Sequence, residues 1–427
     1  MKISNLRLEH SVPFKYGKPQ ARIICDLDAK FTSVREFWFS VDENYYEWLT
    51  TDVYDAFLVA LLYPAMYYGE DIEIEGSVSK KLYHNIMHYV QGIVAAYEVK
   101  AQKIAVKVGG FQNARKCSLL HVGTGFSGEL DDKTMEAYEK RGGVDSFSTL
   151  YDNYLNTNDE DYKVDTMFFF HVGQYGNTSN PKTWERANNR FGITKSMASE
   201  LQMNSVMLNT NMFGFYLPHW EYDAGVLCRL SSVLAFQKVL KRYYISGANS
   251  YKEFAMSNLL AHHVDMAEMS DPIIMPLLSP DGLDILCDGS QYSRTEKTKH
   301  IINWGMAQNN LNVCVNTSDS HTAAVNCGCC SKCLRTLMAL DSAGALGKFA
   351  KVFPIEKWKQ HKLLYVSEQV VNYDRDSFAH DNVDFAILNG RNLPSKPVAL
   401  IVVYANKTYW LIRHLGGFIL RKLNIIK

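Results

Sequence analysis

What this 427-residue sequence lacks narrows it first. It has no net charge, because 45 Lys and Arg balance 45 Asp and Glu. That balance argues against broad electrostatic binding of nucleic acid and leaves room only for a local basic groove. No window of about 18 apolar residues occurs, so no spanning helix is expected. The stretch Met1-Lys-Ile-Ser-Asn-Leu-Arg-Leu-Glu-His10 has neither a long apolar run nor a small-residue cleavage site. No secretory signal is expected, and a reducing cytoplasm is the expected compartment. Internal repeats, low-complexity tracts and a His-Glu-x-x-His zinc motif are also missing. His219 and His262-His263 form no recognisable constellation.

What is present fits a globular protein of two or three domains, with 47% hydrophobic and 21% charged residues. Residues 1–110 read as a small α+β domain. Glu36–Val41 is strand-like, and Ile72–Glu75 alternates in the same way. Thr51–Tyr63 reads as a helix capped by Asp52 and ended or kinked by Pro64. Lys80–Ala96 is helical in pattern.

From residue 111 to about 350 the rhythm becomes strand, helix, strand. Apolar runs at Ser118–Gly123, Thr166–Gly173, Ser205–Asn209 and Tyr243–Gly247 are separated by helical patterns, clearest at Gly225–Arg242. The expected fold class is α/β, a parallel sheet covered on both faces, with ligands bound beyond the carboxyl ends of its strands. Residues 351–427 form a C-terminal extension in which Tyr373–Pro397 reads as a linker. The last thirty residues hold five Lys and Arg and no acid. They read either as an amphipathic segment for an anionic membrane surface or a protein partner, or as a basic element packed on its own domain.

Two motifs carry chemistry. Gly142-Gly-Val-Asp-Ser146, before a helical pattern, could cradle an anion with backbone amides, though an ordinary turn and cap looks the same. The run Cys327-Gly-Cys-Cys-Ser-Lys-Cys333 has C-x2-C-x2-C spacing, with Cys314 a short loop upstream. Four soft ligands suit tetrahedral zinc, and Gly328 would allow the tight turn. Cys329 is left over, while Cys25, Cys117, Cys228 and Cys287 read as buried thiols. Ser293-Arg-Thr-Glu296 has capping-box spacing, which puts Arg294 and Lys297 in a helical first turn within reach of a polyphosphate. His171 ends a strand and is either a nucleotide contact or structural. Gly123-Thr-Gly-Phe-Ser-Gly128 matches a dinucleotide fingerprint by letter, but an acidic stretch follows it.

Gly142–Ser146 resembles the Ser-Gly-Gly-X-Asp-Ser loop of the PP-loop ATP pyrophosphatases. Arg141 stands where the family's first serine would be. Joining Phe126-Ser127-Gly128 to Gly143 would restore the motif, so residues 129–142 read as an insertion. The cysteine run and Val172-Gly-Gln174 resemble the 7-cyano-7-deazaguanine synthases, a branch of that family. The likeness covers roughly residues 117–345; the extensions at both ends lie outside it and suggest a relative with another substrate, such as the longer synthase-like proteins of anti-phage defence operons.

The resemblance implies an ATP-dependent ligase that adenylates a carboxylate or carbonyl of a small molecule or protein terminus, with pyrophosphate released and a nitrogen nucleophile following. It implies catalytic roles for Asp145, Ser146 and Lys297. ATP would be held by Ser127, Gly128, Gly142, Gly143, Val144, Asp145, Ser146, His171 and Arg294, together with Mg²⁺. Structural zinc would sit on Cys314, Cys327, Cys330 and Cys333. The alternatives are a zinc-stabilised scaffold without catalysis and, with Cys329 as a spare thiol, sulfur transfer to RNA.

Overall fold

The computed structural model describes residues 1–126, 142–173, 180–212, 225–253, 266–314 and 326–422. Ten strands form one mixed sheet: β1 (Lys2–Val12), β2 (Gln20–Asp28), β3 (Glu36–Asp42), β4 (Ile72–Val78), β5 (Val106–Phe111), β6 (His121–Gly125), β7 (Thr166–His171), β8 (Asn204–Thr210), β9 (Leu240–Ser246) and β10 (Asp284–Asp288). Their spatial order is β10-β9-β6-β7-β8-β3-β2-β1-β4-β5. The half from β10 to β8 is entirely parallel.

The chain leaves β6 toward β7 and β8 on one side, then returns to place β9 and β10 on the other. The carboxyl ends of β6 and β9 therefore flank a topological switch point, where open α/β sheets form a ligand crevice. The N-terminal strands continue the same sheet. β3 pairs antiparallel with β8 through Phe39↔Thr210, Ser40↔Asn209 and Val41↔Leu208.

The helices are α1 (Asp55–Tyr68), α2 (Lys80–Asn85), α3 (Gln91–Tyr97), α4 (Val144–Leu150), α5 (Pro181–Glu200), α6 (Gly225–Leu234), α7 (Met266–Leu277), α8 (Arg294–His300), α9 (Gly305–Asn310), α10 (Ser331–Ser342), α11 (Ile355–Asn372), α12 (Ser377–Leu388) and α13 (Lys396–Lys422). A π-helical turn, Ile86–Val90, joins α2 to α3. Another, Tyr151–Leu155, extends α4.

Two apolar cores lie against the sheet. One gathers Phe57, Leu61, Leu227, Ile274 and Phe168; the other gathers Val144, Phe147, Met197, Leu337, Trp358 and Met167. Neighbouring β7 residues Met167 and Phe168 thus enter opposite cores, as expected of a strand buried on both faces.

Four expectations need correction. α1 runs through Pro64 to Tyr68 and has no side-chain cap from Asp52. Every residue from Asp55 to Met66 is buried, and packing on all sides outweighs the roughly 3 kcal/mol that an interior proline costs. The helix from Gly225 stops at Leu234, and Leu240–Ser246 is strand. The strand expected at Ser118–Gly123 begins at His121 and runs to Gly125. Finally, the expected linker contains α12, capped by Asp376 accepting from the Ala379 amide at 2.9 Å.

Candidate functional site: a two-cation cluster beside a four-cysteine centre

α4 follows β6, and Asp145 lies in its first turn. α8 follows β10 and begins in the expected capping box: the Ser293 hydroxyl accepts from the Glu296 amide, and the Glu296 carboxylate accepts from the Ser293 amide at 2.7 Å. A second clamp comes from α12. Asp381 accepts from the Thr295 amide at 3.0 Å and from its hydroxyl at 2.9 Å.

This fixes the first turn of α8, and with it Arg294 and Lys297. The Arg294 guanidinium donates to Asp145 Oδ2. Lys297 Nζ donates to Asp145 Oδ1 at 3.2 Å and to the Gly247 carbonyl, just past β9, at 2.6 Å. The cluster therefore joins the helix after β6 to the end of β9, at the switch point.

Lys297 is 1% exposed. Burial opposes ionisation of Asp145, but Arg294 and Lys297 overcome it and hold the carboxyl below its usual range. Burial works against the Arg294 charge as well, and Asp145 more than compensates. Arg294 also lies in the field of Glu253 and Asp381, and Lys297 in that of Asp288; guanidinium and ammonium groups fixed in this way are donors suited to phosphate oxygens.

Ser146 is buried beside Asp145 in the same turn. Gly143 caps α4 with extended backbone, and Val144 is fully buried. Gly142 forms an isolated parallel bridge with Leu311: its amide donates to Asn310 at 3.2 Å, and its carbonyl accepts from Asn312 at 2.9 Å. A side chain there would collide with the Phe126 ring, which an added Cβ would approach to 2.3 Å. Gly123 and Gly125 lie inside β6 rather than in a loop, which removes the strand–turn context that a dinucleotide fingerprint needs. Ser127, Gly128 and residues 129–141, the expected insertion up to its last residue, lie outside the described residues, as does Gln174.

His171 ends β7, the strand next to β6. It is fully buried at the carboxyl end of β7, edge-on to Trp184 at 4.6 Å and beside Asn209. Burial pushes its pKa down to about 4, so the ring is neutral at pH 7.

Two elements beyond the sequence reading surround the cluster. Arg335, on α10, lies 3.4 Å from the centroid of the Phe378 ring. Burial and the neighbouring Arg294 lower its pKa. Asp152 and Asp288 are carboxyls that burial pushes above their ordinary range. Arg335 directly follows the cysteine run, and Asp288 ends a strand at the carboxyl edge. Those positions were the available signals.

The cysteine centre is adjacent. The sulfurs of Cys314, Cys327, Cys330 and Cys333 all lie within 4.8 Å of one another, with Cys314–Cys330 at 3.9 Å and Cys327–Cys333 at 3.8 Å. Metal–sulfur bonds of about 2.3 Å in a tetrahedron put sulfurs about 3.8 Å apart, so the set could hold a metal ion. Amides support the sulfurs: Cys330 donates to Cys327 Sγ at 3.3 Å, and Cys327 donates to Cys314 Sγ at 3.4 Å. Hydrogen bonds shared among the four thiols lower Cys327 and Cys330 and raise Cys314 and Cys333, so the set parts with protons as a group.

Gly328 has φ of +72°, and an added Cβ would lie 2.7 Å from Pro354 Cγ, so both backbone and space require glycine. Buried Asn326 ties the centre to the fold. It accepts from the Val313 amide and donates to the carbonyls of Leu311 and Val352, each at 2.9 Å. Cys329 Sγ sits 3.6 Å from Cys327 Sγ, outside the set of four.

No family model, no curated protein and no solved structure matches this chain. The sheet and the geometry of the two centres therefore carry the functional reading.

Proposed function

We propose that this chain is an ATP-dependent ligase of the PP-loop type, with zinc held structurally by Cys314, Cys327, Cys330 and Cys333. The observation that carries the reading is the convergence of Arg294 and Lys297 on Asp145 at the β6/β9 switch point.

ATP would lie in that crevice, its pyrophosphate portion against the amides of Gly143 to Ser146 and against Ser127 and Gly128. Asp145 would hold Arg294 and Lys297 in place, and the two cations would neutralise charge as it develops on the leaving group. Both Asp145 oxygens are already engaged, so any Mg²⁺ would take its ligands from the phosphates and water. A substrate carboxylate oxygen attacks the α-phosphorus, and the bond to the bridging oxygen breaks. Pyrophosphate then departs, a nitrogen nucleophile attacks the adenylated carbonyl, and AMP leaves. Four cysteines leave zinc no open position for water, which limits it to a structural part.

A second reading, a zinc-stabilised scaffold without turnover, is favoured by Arg141 in place of the loop serine. Doubly labelled ATP, incubated with a panel of small carboxylic acids and amine-bearing protein termini, separates the two. AMP and pyrophosphate formed by the protein and lost in Asp145→Ala support the ligase. Turnover by neither protein, with partner binding intact in both, establishes the scaffold.

A further inference from the structure

The long terminal helix α13 presents a second functional surface. Its inner side packs on α11, burying Ala399 and Val403. From Lys407 to Arg413 every side chain is exposed, so the helix runs past the body that supports it. Ile401 is 69% exposed, Tyr404 61%, Leu411 60% and Ile412 64%. At about 100° per residue these four fall within an arc of about 100°, on the side opposite Ala399 and Asn406.

Charge on the helix has one sign. It contains Lys396, Lys407, Arg413, Arg421 and Lys422 and no acidic residue. Lys396 is paired with Asp374 at 3.0 Å; Lys407 lies over the Tyr404 ring within the field of Glu368, and Arg413 lies over the Trp410 ring. An exposed apolar arc on a helix whose charged residues are all basic matches the polarity of an anionic bilayer surface. Among the described residues no helix is long and apolar enough to cross a membrane, which leaves a helix lying in the interface. We propose that α13 docks the protein on an anionic phospholipid surface, its Ile401–Tyr404–Leu411–Ile412 face seated among the acyl chains and its cations at the headgroups.

Flotation of the full chain with phosphatidylserine–phosphatidylcholine vesicles tests this. The protein is expected to rise with these vesicles, to stay down with phosphatidylcholine alone, and to be released by salt. Lys407→Ala/Arg413→Ala should weaken binding roughly thirtyfold, about fivefold for each cation. Leu411→Asp/Ile412→Asp should abolish it, while Leu363→Asp, an exposed position on α11, should leave it unchanged. Matching thermal melts of all three variants exclude misfolding. Absence of flotation with either lipid overturns the proposal. So does a dimer, seen by light scattering, that Leu411→Asp dissolves while the wild type binds no vesicle.

Discussion

The amide of Asn312 donates to the carbonyl of Gly142 at 2.9 Å. One partner opens the Gly142–Ser146 stretch, and the other lies two residues before Cys314. This bridge couples the cysteine centre to the Gly142–Ser146 turn, because Asn326 clamps the same segment from the other side. Removing the metal should therefore loosen the loop. One zinc per chain is expected by elemental analysis. Chelation should speed hydrogen exchange at the amides of Gly142 and Asn312 ahead of global unfolding, and unchanged protection at both would show the centres to be independent.

Gly328 supplies a sharper probe of the centre. Gly328→Ala forces a Cβ onto Pro354 at a left-handed backbone position, and such strain costs of order 1–3 kcal/mol. Chemical denaturation should show that loss together with reduced zinc retention.

At the cation cluster, Asp145→Asn removes the charge and keeps the shape. It leaves Arg294 and buried Lys297 without their shared counter-ion, a loss of about 3 kcal/mol. Asp145→Asn/Lys297→Met should recover part of it, because one uncompensated charge disappears with its partner. Denaturation midpoints of the wild type, both single variants and the double variant measure this coupling.

His171 sets a pH dependence. Its folded pKa is about 4, against an ordinary value of 6.5. The unfolded chain therefore takes up a proton that the folded chain refuses. Stability from this group is complete above pH 6.5 and is lost as pH falls toward 4, by as much as about 3 kcal/mol. His171→Phe should flatten the decline of the denaturation midpoint across that window. An unaltered decline would place its origin elsewhere.

Local signals were legible where period and capping agree. The buried run at Thr166–His171, the Ser293–Glu296 box and the cysteine spacing appear in the structure as read. Local pattern failed where tertiary packing outweighs propensity: Pro64 sits inside a fully buried helix, and the apolar spacing of Phe236, Leu240 and Tyr243 continues a helical register while the chain turns into β9. At the candidate site the residue types were readable, but their convergence was not. Asp145 meets Arg294 and Lys297 across 149 and 152 residues. Nothing local encodes that meeting; it follows from the strand order that puts β9 beside β6.

The products formed from ATP test the central claim most directly. With a competent acid and amine, the wild-type protein should yield AMP and pyrophosphate in equal amounts, and Lys297→Ala should yield roughly a hundredfold less, on the scale of a lost charge-stabilising donor. Formation of ADP and phosphate, or equal yields of AMP and pyrophosphate from the wild type and Lys297→Ala, would contradict it.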